Sequence, residues 1–282
     1  MQHHDCVLKL QQKRNLLYYA GVHADGNEVT EKEIRHFFRL DQTHEHMLEG
    51  LNQDPYISEL SRRYRGIHLL RQDLFECIVS FLCSSASNIP KIKKNVELLC
   101  ESFGKPFTFE GKTYHAFPEP GSMESLRKIK DAKTGFRARY IHEANSLLTL
   151  NLLERMRTAS YTRARELLLT LPGIGEKIAN CILLFSLEHM RAFPIDTWMR
   201  KAMLDNYAPE LMTHLKAQVK LVRIQENKKQ ENRRQEKKRG RLSLREPKLS
   251  EQHMSRFGEQ YFGDSAGLAQ QYLYVHARKK DI

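Results

Sequence analysis

The chain has 282 residues, of which 40% are hydrophobic and 28% charged, and this composition excludes fully disordered and fibrous proteins. Its 46 Lys and Arg against 34 Asp and Glu give a formal net charge of +12, which favours a polyanionic partner such as nucleic acid or an anionic membrane surface. No stretch approaches the roughly 20 uncharged apolar residues of a membrane helix, and the N-terminus lacks the layout of a secretory signal. We therefore expect an intracellular protein.

The five cysteines are scattered along the sequence and form no C-x-x-C pair. This spacing does not fit a disulfide framework, a zinc knuckle or an iron–sulfur cluster. The sequence therefore predicts none of these sites.

The predicted elements are mostly helical. Residues 6–21 fit a pair of short strands, and capping boxes at Thr30 with Glu33 and at Asp73 with Glu76 predict the starts of two helices. Apolar residues spaced three and four apart predict a helix over 89–103 that Gly104 ends. Further helices are predicted over 161–170, 177–187, 197–206, 250–262 and 265–278.

Most of the excess positive charge lies in one segment. Residues 216–248 contain 13 Lys and Arg and 4 Asp and Glu, so the segment carries +9 and the rest of the chain only +3. Such a run is most often a solvated helix or a linker, although it could also contact DNA phosphates. The global charge alone is therefore weak evidence for DNA binding.

The most informative stretch is LPGIGEKIANCILLF, residues 171–185. A helix ends at Leu171 and Pro172, two glycines permit a tight hairpin, and a new helix starts at about Lys177. Backbone N–H groups at such a helix start attract phosphate, because the helix dipole is positive there and glycines leave the approach open. The alternative is an ordinary corner between two helices.

Two residues in and after this stretch could carry chemistry. A helix N-terminus disfavours a cation, so the Lys177 amine should be neutral more often, and a neutral amine is a nucleophile. Lys177 could equally grip a phosphate as an ammonium ion. Asp196 is well placed to cap the helix that follows it, and its carboxylate could also face Lys177 if the two helices pack antiparallel.

Several blocks of the sequence resemble, in order, those of one known family. They are FFRLD (37–41), GIHLLRQDLFECIVSFLCSS (66–85), TYHAFP (113–118), GFRARYI (135–141), LPGIGEKIANCI (171–182) and FGDSAGLAQQYLY (262–274). The family is that of the helix-hairpin-helix DNA glycosylases, and within it the 8-oxoguanine DNA glycosylases. The resemblance covers nearly the whole chain except the basic segment. It implies a mostly α, two-lobed glycosylase fold with a short β remnant at the N-terminus.

The resemblance also implies an activity. The chain would be a bifunctional DNA glycosylase and abasic-site lyase that excises 8-oxoguanine from duplex DNA after flipping the base out of the helix. Lys177 would attack C1′, displace the base and form an imine with the opened sugar, and β-elimination would then cut the strand. Asp196 would balance charge and orient the amine. Neither a metal nor another cofactor is required, since the amine replaces an activated water.

Ten further residues match family positions that hold the base or the DNA. Cys181 and Tyr274 would sandwich the flipped purine, and Gln270 would bond its edge, although Cys181 alone reads more readily as a core residue. The DNA contacts implied by the resemblance are Gly173, Gly175, Ile178, Phe136, Arg137, Asn88 and Lys91. Among these, Phe136 would fill the gap in the duplex and Arg137 would hold the orphaned base. As isolated residues, Phe136 and Arg137 would be read as core filler and surface charge.

The sequence departs from the family pattern at three places, one of which is Trp198, where animal members have a histidine near a phosphate. The family has a run of asparagines and an arginine where this chain has Ala86, Ser87, Asn88 and Lys91, which weakens the reading of an opposite cytosine. The family also begins with a β-rich segment whose glycine recognises 8-oxoguanine, and nothing here matches its motif. We therefore expect the chain to start late relative to the functional protein and to be poorly soluble or marginally stable.

The expected domains are a β-rich remnant (1–28), a helical glycosylase core (29–207 and 249–282) and a basic insertion (208–248) that is helical or disordered. We expect a monomer that acts on duplex DNA without membrane association, in the cytoplasm or nucleoid of a prokaryote or the nucleus of a eukaryote. Two alternatives stay open. The chain could be a related glycosylase with another lesion preference, or a non-catalytic or impaired hairpin protein that binds abasic or distorted DNA.

Overall fold

The computed structural model describes residues 5–42, 48–51, 53–233 and 249–279, with side chains described up to residue 218 and again from 249. The expected mostly α fold is confirmed. The chain divides into two compact units, the first formed by 1–49 and 66–192 and the second by 50–65 and 193–282.

The elements follow in chain order. The helices are α1 (Glu31–Phe37), α2 (Pro55–Arg63), α3 (Leu74–Ser84), α4 (Ile89–Phe103), α5 (Leu126–Ile129), α6 (Arg137–Leu147), α7 (Leu150–Arg157), α8 (Tyr161–Leu169), α9 (Glu176–Phe185), α10 (Thr197–Arg233), α11 (Glu251–Phe262) and α12 (Ala266–Lys279). The strands are β1 (Cys6–Lys13), β2 (Leu16–His23), β3 (Pro106–Phe109) and β4 (Lys112–His115). A π-helical turn, Lys130–Thr134, joins α5 to α6.

The first unit begins with the expected pair of strands. β1 and β2 pair antiparallel, with Lys13 opposite Leu16, so two residues close the hairpin. Arg14 in that turn has a φ of +52°, the left-handed conformation that hairpin turns require. Leu16 and Tyr18 on β2 are exposed, so this hairpin presents apolar surface to solvent.

The expected capping box at Thr30 and Glu33 is confirmed, whereas only one of the two expected hydrogen bonds forms between Asp73 and Glu76. At α1, Thr30 caps the backbone of Glu33 and the Glu33 carboxylate bonds back to Thr30. At α3, Asp73 accepts from the backbone of Glu76, but the return bond of a capping box is absent among the described contacts. Asp73 instead pairs with Arg157 at 3.2 Å, while Glu76 packs into the unit.

α3 is the central helix of the first unit. It packs against α4, α6 and α9, and its buried residues include Phe75, Ile78 and Leu82. This apolar run therefore positions the start of α6 and the α8–α9 hairpin on one core.

Gly104 follows α4 as expected, but its role differs from the expected one. Its φ of −84° and ψ of 157° are extended, so no left-handed C-cap forms. A β-carbon at Gly104 would collide with the carbonyl of Ala116, which follows β4. The glycine is therefore required by a close backbone approach rather than by helix termination.

The second unit is held by a buried carboxylate. Asp54 caps α2 at the backbone of Ile57, 2.8 Å away, and accepts hydrogen bonds from the hydroxyls of Tyr207 at 3.2 Å and Tyr261 at 3.1 Å. Tyr207 lies at a break in α10, where its φ of −132° and the following Pro209 interrupt regular helix. One acidic side chain thus joins α2, α10 and α11.

The basic segment falls partly on α10. This helix continues through the break to Arg233, so residues 208–233 are helical, whereas 234–248 lie outside the described residues. In the ranges that the structure covers, no helix has both the length and the apolar composition needed to cross a bilayer.

Candidate active site

The expected hairpin forms between α8 and α9. Leu171 and Ile174 are buried and anchor the turn, with the Ile174 amide donating to the Leu171 carbonyl at 3.2 Å. Gly173 has a φ of +80°, and a β-carbon there would lie 2.7 Å from Cγ of Tyr140. Only glycine fits this position without moving α6.

The start of α9 lacks a capping side chain. Gly175 is the N-cap residue in an extended conformation, and a β-carbon on it would meet nothing within 4 Å. The first backbone bond of the helix runs from Ala179 to the Gly175 carbonyl at 2.9 Å. The backbone N–H groups of this turn therefore face a surface that no cap side chain covers.

Among the α-helices of the first unit as described, one other helix also starts without a capping side chain. Side chains cap the other starts, from the N-cap residues Thr30, Asp73, Asn88, Ser125, Thr149 and Ser160. The two starts without a side-chain cap are those of α6, after Phe136, and α9, after Gly175. Both belong to the segments that the family resemblance assigns to DNA.

Lys177 lies in the first turn of α9 and is exposed, whereas the next two expected residues of that helix are buried. Ile178 packs into the core, and Cys181, one turn after Lys177, is 5% exposed. Arg165 forms an ion pair with Glu176, the carboxylate beside the lysine. Lys177 itself makes no ion pair with any described residue, so its amine faces solvent at the uncapped end of the hairpin.

Phe136 and Arg137 have the opposite placement from the one their residue types suggest. Phe136 is 62% exposed, while Arg137 is only 2% exposed. The Arg137 guanidinium donates to the backbone carbonyls of Cys83 at 3.2 Å and Thr134 at 2.9 Å. Reading them as core filler and surface charge is therefore wrong, and in this conformation Arg137 is not presented to a DNA base.

The expected opposite-base residues lie at the start of α4. Asn88 caps this helix by accepting from the Lys91 amide at 3.0 Å, and both residues are exposed. Ala86 just before them has a φ of +47°, a left-handed conformation that asparagine or glycine adopts more easily. The side-chain oxygen of Asn88 is thus occupied by a hydrogen bond within its own helix. The exposed ammonium group of Lys91 is therefore the more accessible of the two side chains to a ligand.

The other three expected site residues belong to the second unit. Asp196 caps α10 as expected, since its Oδ1 accepts from the Met199 amide at 2.8 Å. Gln270 and Tyr274 lie four residues apart on α12, and Gln270 is buried while Tyr274 is half-buried. Asp196, Gln270 and Tyr274 therefore lie in the second unit, whereas Lys177 and Cys181 lie in the first.

Sequence reasoning missed Tyr140. It is 39% exposed on α6, and its ring supports Gly173 of the hairpin. The GFRARYI block contains Tyr140, but neither periodicity nor composition indicates which ring faces a glycine 33 residues later. Only the packing of α6 against the hairpin identifies it.

Comparison with known proteins relates both sequence and fold to DNA glycosylases. A family model described as "8-oxoguanine DNA glycosylase, N-terminal domain" matches residues 2–78. A probable N-glycosylase/DNA lyase of Methanothermobacter thermautotrophicus is 28% identical over 253 residues, which are 82% of this chain and 69% of the relative. An N-glycosylase/DNA lyase of Arabidopsis thaliana is 35% identical over 170 residues, 56% of this chain and 46% of the relative. The chain thus spans less than half the length of the plant protein.

Solved structures agree with these relatives. The 8-oxoguanine glycosylase/lyase of Clostridium acetobutylicum, in complex with double-stranded DNA that contains cytosine opposite 8-oxoguanine, has a TM-score of 0.75 and 27% identity to this chain. The match covers 98% of this chain and 82% of the bacterial one. Together with the glycine hairpin and the lysine at its helix start, these likenesses relate the chain in both sequence and fold to the 8-oxoguanine DNA glycosylases.

Proposed function

We propose that the chain is a DNA glycosylase with abasic-site lyase activity that excises 8-oxoguanine from duplex DNA. The observation that carries the proposal is the exposed Lys177 amine at the uncapped start of α9, in a chain whose curated relatives are N-glycosylase/DNA lyases. A surface amine beside free backbone donors suits a reaction that takes place on a phosphodiester strand.

The hairpin would hold the DNA strand. Gly173 keeps the turn tight, and Gly175 leaves open space where a phosphate oxygen can approach the backbone amides. The amide of Ile178, whose side chain is buried, would complete this phosphate seat. Exposed Phe136 would enter the gap left by the flipped base, because an aromatic ring can replace the stacking that the base loses.

Lys177 would act as the nucleophile. Its neutral amine attacks C1′ of the damaged nucleotide as the C1′–N9 bond breaks, and the base leaves with the bonding electrons. Loss of a proton from nitrogen and opening of the sugar ring give an imine between Nζ and C1′. The imine acidifies the C2′ hydrogens, so loss of one of these protons expels the 3′ phosphate by β-elimination and cuts the strand.

Asp196 would support this step electrostatically. Its Oδ1 is engaged by the Met199 amide, which fixes the carboxylate, while Oδ2 accepts no hydrogen bond within the described part of the chain. A carboxylate with one oxygen fixed and one available suits the positive charge that develops at C1′ and can take the proton that the amine loses. We infer this electrostatic role of Asp196 from the family match.

By the family resemblance, Cys181, Gln270 and Tyr274 would each contact the flipped base. Cys181 and Tyr274 offer a polarizable sulfur and an aromatic face, and both favour stacking on a purine. The Gln270 Oε1 accepts from Gln271 at 2.5 Å, so its amide has a defined orientation for bonding a base edge. The Tyr274 hydroxyl accepts from Arg278 at 3.3 Å, which holds the ring.

The proposal is tested by trapping the imine. Borohydride added during turnover on duplex DNA with 8-oxoguanine should reduce the imine and link the protein covalently to DNA, with the adduct on Lys177 by peptide mapping. Lys177→Gln should abolish the adduct and strand cleavage while binding to abasic DNA persists, because the hairpin contacts are mostly backbone. Lys112→Gln, which removes an exposed lysine of β4, is the matched control and should trap normally.

Other outcomes would redirect the assignment. Undiminished trapping in Lys177→Gln would reject this lysine as the nucleophile. Binding to abasic DNA without excision of any base would favour a non-catalytic hairpin protein. Excision of a different damaged base, with 8-oxoguanine left intact, would keep the mechanism and change the lesion.

A further inference from the structure

The π-helical turn Lys130–Thr134 precedes the exposed Phe136 and displays lysines in a fixed conformation. Ala132 and Thr134 are buried, whereas Lys130 and Lys133 are exposed. The turn thus alternates between residues that anchor it in the core and residues that face solvent.

Three hydrogen bonds hold this turn. The Asn95 amide on α4 donates to the carbonyl of Ala132 at 2.8 Å, and the Thr134 hydroxyl donates to the carbonyl of Ile129 at 2.7 Å. The buried Arg137 donates to the carbonyl of Thr134 at 2.9 Å. Hydrogen bonds from both neighbouring helices, α4 and α6, therefore hold the backbone on either side of Lys133.

Lys133 has an unfavourable backbone conformation. Its φ of +61° and ψ of 23° lie in the left-handed region, where every side chain except that of glycine costs free energy and asparagine is the best of the rest. A lysine at this position gains nothing from packing, since it is exposed. Strained residues that the fold holds in place concentrate where a ligand is bound, so the position favours a role for the ammonium group.

The turn carries two lysines and one exposed carboxylate, Asp131, so its net charge is positive. Lys130 and Lys133 make no ion pair with a described carboxylate, and the same holds for Lys91, which lies one helical turn before Asn95 on the same face of α4. Other exposed cations nearby are paired, as in Lys94 with Glu97 at 3.3 Å and Arg139 with Glu143 at 2.6 Å. Unpaired ammonium groups on a rigid turn leave a local surplus of positive charge, which suits a phosphate backbone.

We propose that Lys133 binds a phosphate of duplex DNA and anchors the strand beside the point where Phe136 enters the helix. The inference rests on the proposed function, because it takes the partner to be duplex DNA. It adds a contact outside the hairpin and outside the opposite-base residues. The strained backbone is the cost of presenting an ammonium group where glycine would otherwise be preferred.

The test uses substitutions that relieve strain and remove charge together. Lys133→Gly should raise the urea midpoint of unfolding, because glycine adopts a positive φ freely, and should also weaken binding several-fold. Arg14→Gly is the matched control, since it removes an exposed cation from another left-handed turn, at φ +52°. It should gain stability similarly and bind DNA as the wild type does. Lys133→Arg keeps the charge and should bind normally.

Binding is measured by fluorescence anisotropy on a short duplex that carries a tetrahydrofuran analogue of an abasic site, which cannot form an imine. In a salt titration, Lys133→Gly should lower the slope of log affinity against log salt by about 0.9, the value for one phosphate contact. Wild-type affinity and slope in Lys133→Gly would overturn the inference, as would an equal loss in Arg14→Gly.

These outcomes separate the inference from the proposed function. A wild-type chain that forms the borohydride adduct while Lys133→Gly binds normally overturns the phosphate contact alone. A wild-type chain with neither adduct nor affinity for the duplex overturns both.

Discussion

The α-carbon of Gly173 lies close to the side chain of Tyr140, so α6 supports the hairpin between α8 and α9. A β-carbon on Gly173 would come within 2.7 Å of Cγ and 2.8 Å of Cβ of that tyrosine. The second glycine of the hairpin, Gly175, faces open space instead. The fold therefore requires Gly173, whereas Gly175 leaves open space that a ligand can enter.

This difference predicts opposite effects for two alanine substitutions. Gly173→Ala should lower the free energy of unfolding by about 1–3 kcal/mol, because the methyl group overpacks against Tyr140 and the φ of +80° is strained. Gly175→Ala should cost no more than about 1 kcal/mol but weaken binding to abasic duplex DNA, since its methyl group obstructs the phosphate. Urea unfolding and anisotropy measure both quantities. Wild-type DNA affinity in Gly175→Ala would place the phosphate seat elsewhere.

The buried guanidinium predicts a structural role for Arg137. Arg137→Met should lower the free energy of unfolding by about 2 kcal/mol, because the carbonyls of Cys83 and Thr134 lose their donor. Arg139→Met, which removes an exposed arginine paired with Glu143, should change it by less than about 0.5 kcal/mol. Urea unfolding of both variants makes the comparison.

The same variant tests the role that the family resemblance gives to Arg137. An Arg137→Met protein of undiminished stability whose excision rates change with the base opposite the lesion differently from those of the wild type would show that the guanidinium acts at the DNA surface. Excision rates on duplexes with each of the four opposite bases provide that readout.

Sequence alone predicts what local signals encode. The helix starts at Thr30 and Asp196 and the hairpin around Gly173 follow from capping residues and glycine spacing, and the structure has them where they are expected. The exchange of exposure between Phe136 and Arg137 could not be predicted, because it depends on α3 and the π-helical turn supplying carbonyls to the guanidinium. Gly104 is similar, since only the approach of a distant backbone reveals why a glycine is needed.

Glu76 predicts a dependence of stability on pH. Burial, with a smaller contribution from the Asp73 charge, raises the pKa of Glu76 from 4.5 to about 7. The protonated carboxyl stabilises the fold fully at a pH below the pKa of Glu76 in the unfolded state. This contribution is lost as the pH rises through the pKa of Glu76 in the folded state. Glu76→Gln should therefore be more stable than the wild type by up to about 3 kcal/mol at pH 8 and nearly equal to it at about pH 4.5.

Urea unfolding across this pH range measures the difference. Glu101→Gln on α4 changes an exposed carboxylate and serves as the control, with little effect at either pH. A Glu76→Gln protein with the same advantage at every pH would mean that the pKa of Glu76 is the same in the folded and unfolded states, so that burial does not raise it.

The last prediction concerns His23, which joins β2 to α1 through two carboxylates. Burial by itself lowers the pKa of this imidazole, but Asp5 and Glu33, each 3.0 Å from one ring nitrogen, outweigh burial and raise it above 6.5. Because the folded pKa is raised, the charged imidazole stabilises the fold fully below about pH 6.5, and the contribution disappears as the pH rises through the folded value. The advantage of wild type over His23→Gln in the free energy of unfolding should therefore shrink between about pH 5.5 and 8. His142→Gln, whose ring bonds the carbonyl of Glu124 rather than a carboxylate, is the control and should show a smaller change. An advantage that grows with pH would mean that the neutral imidazole is the bound form.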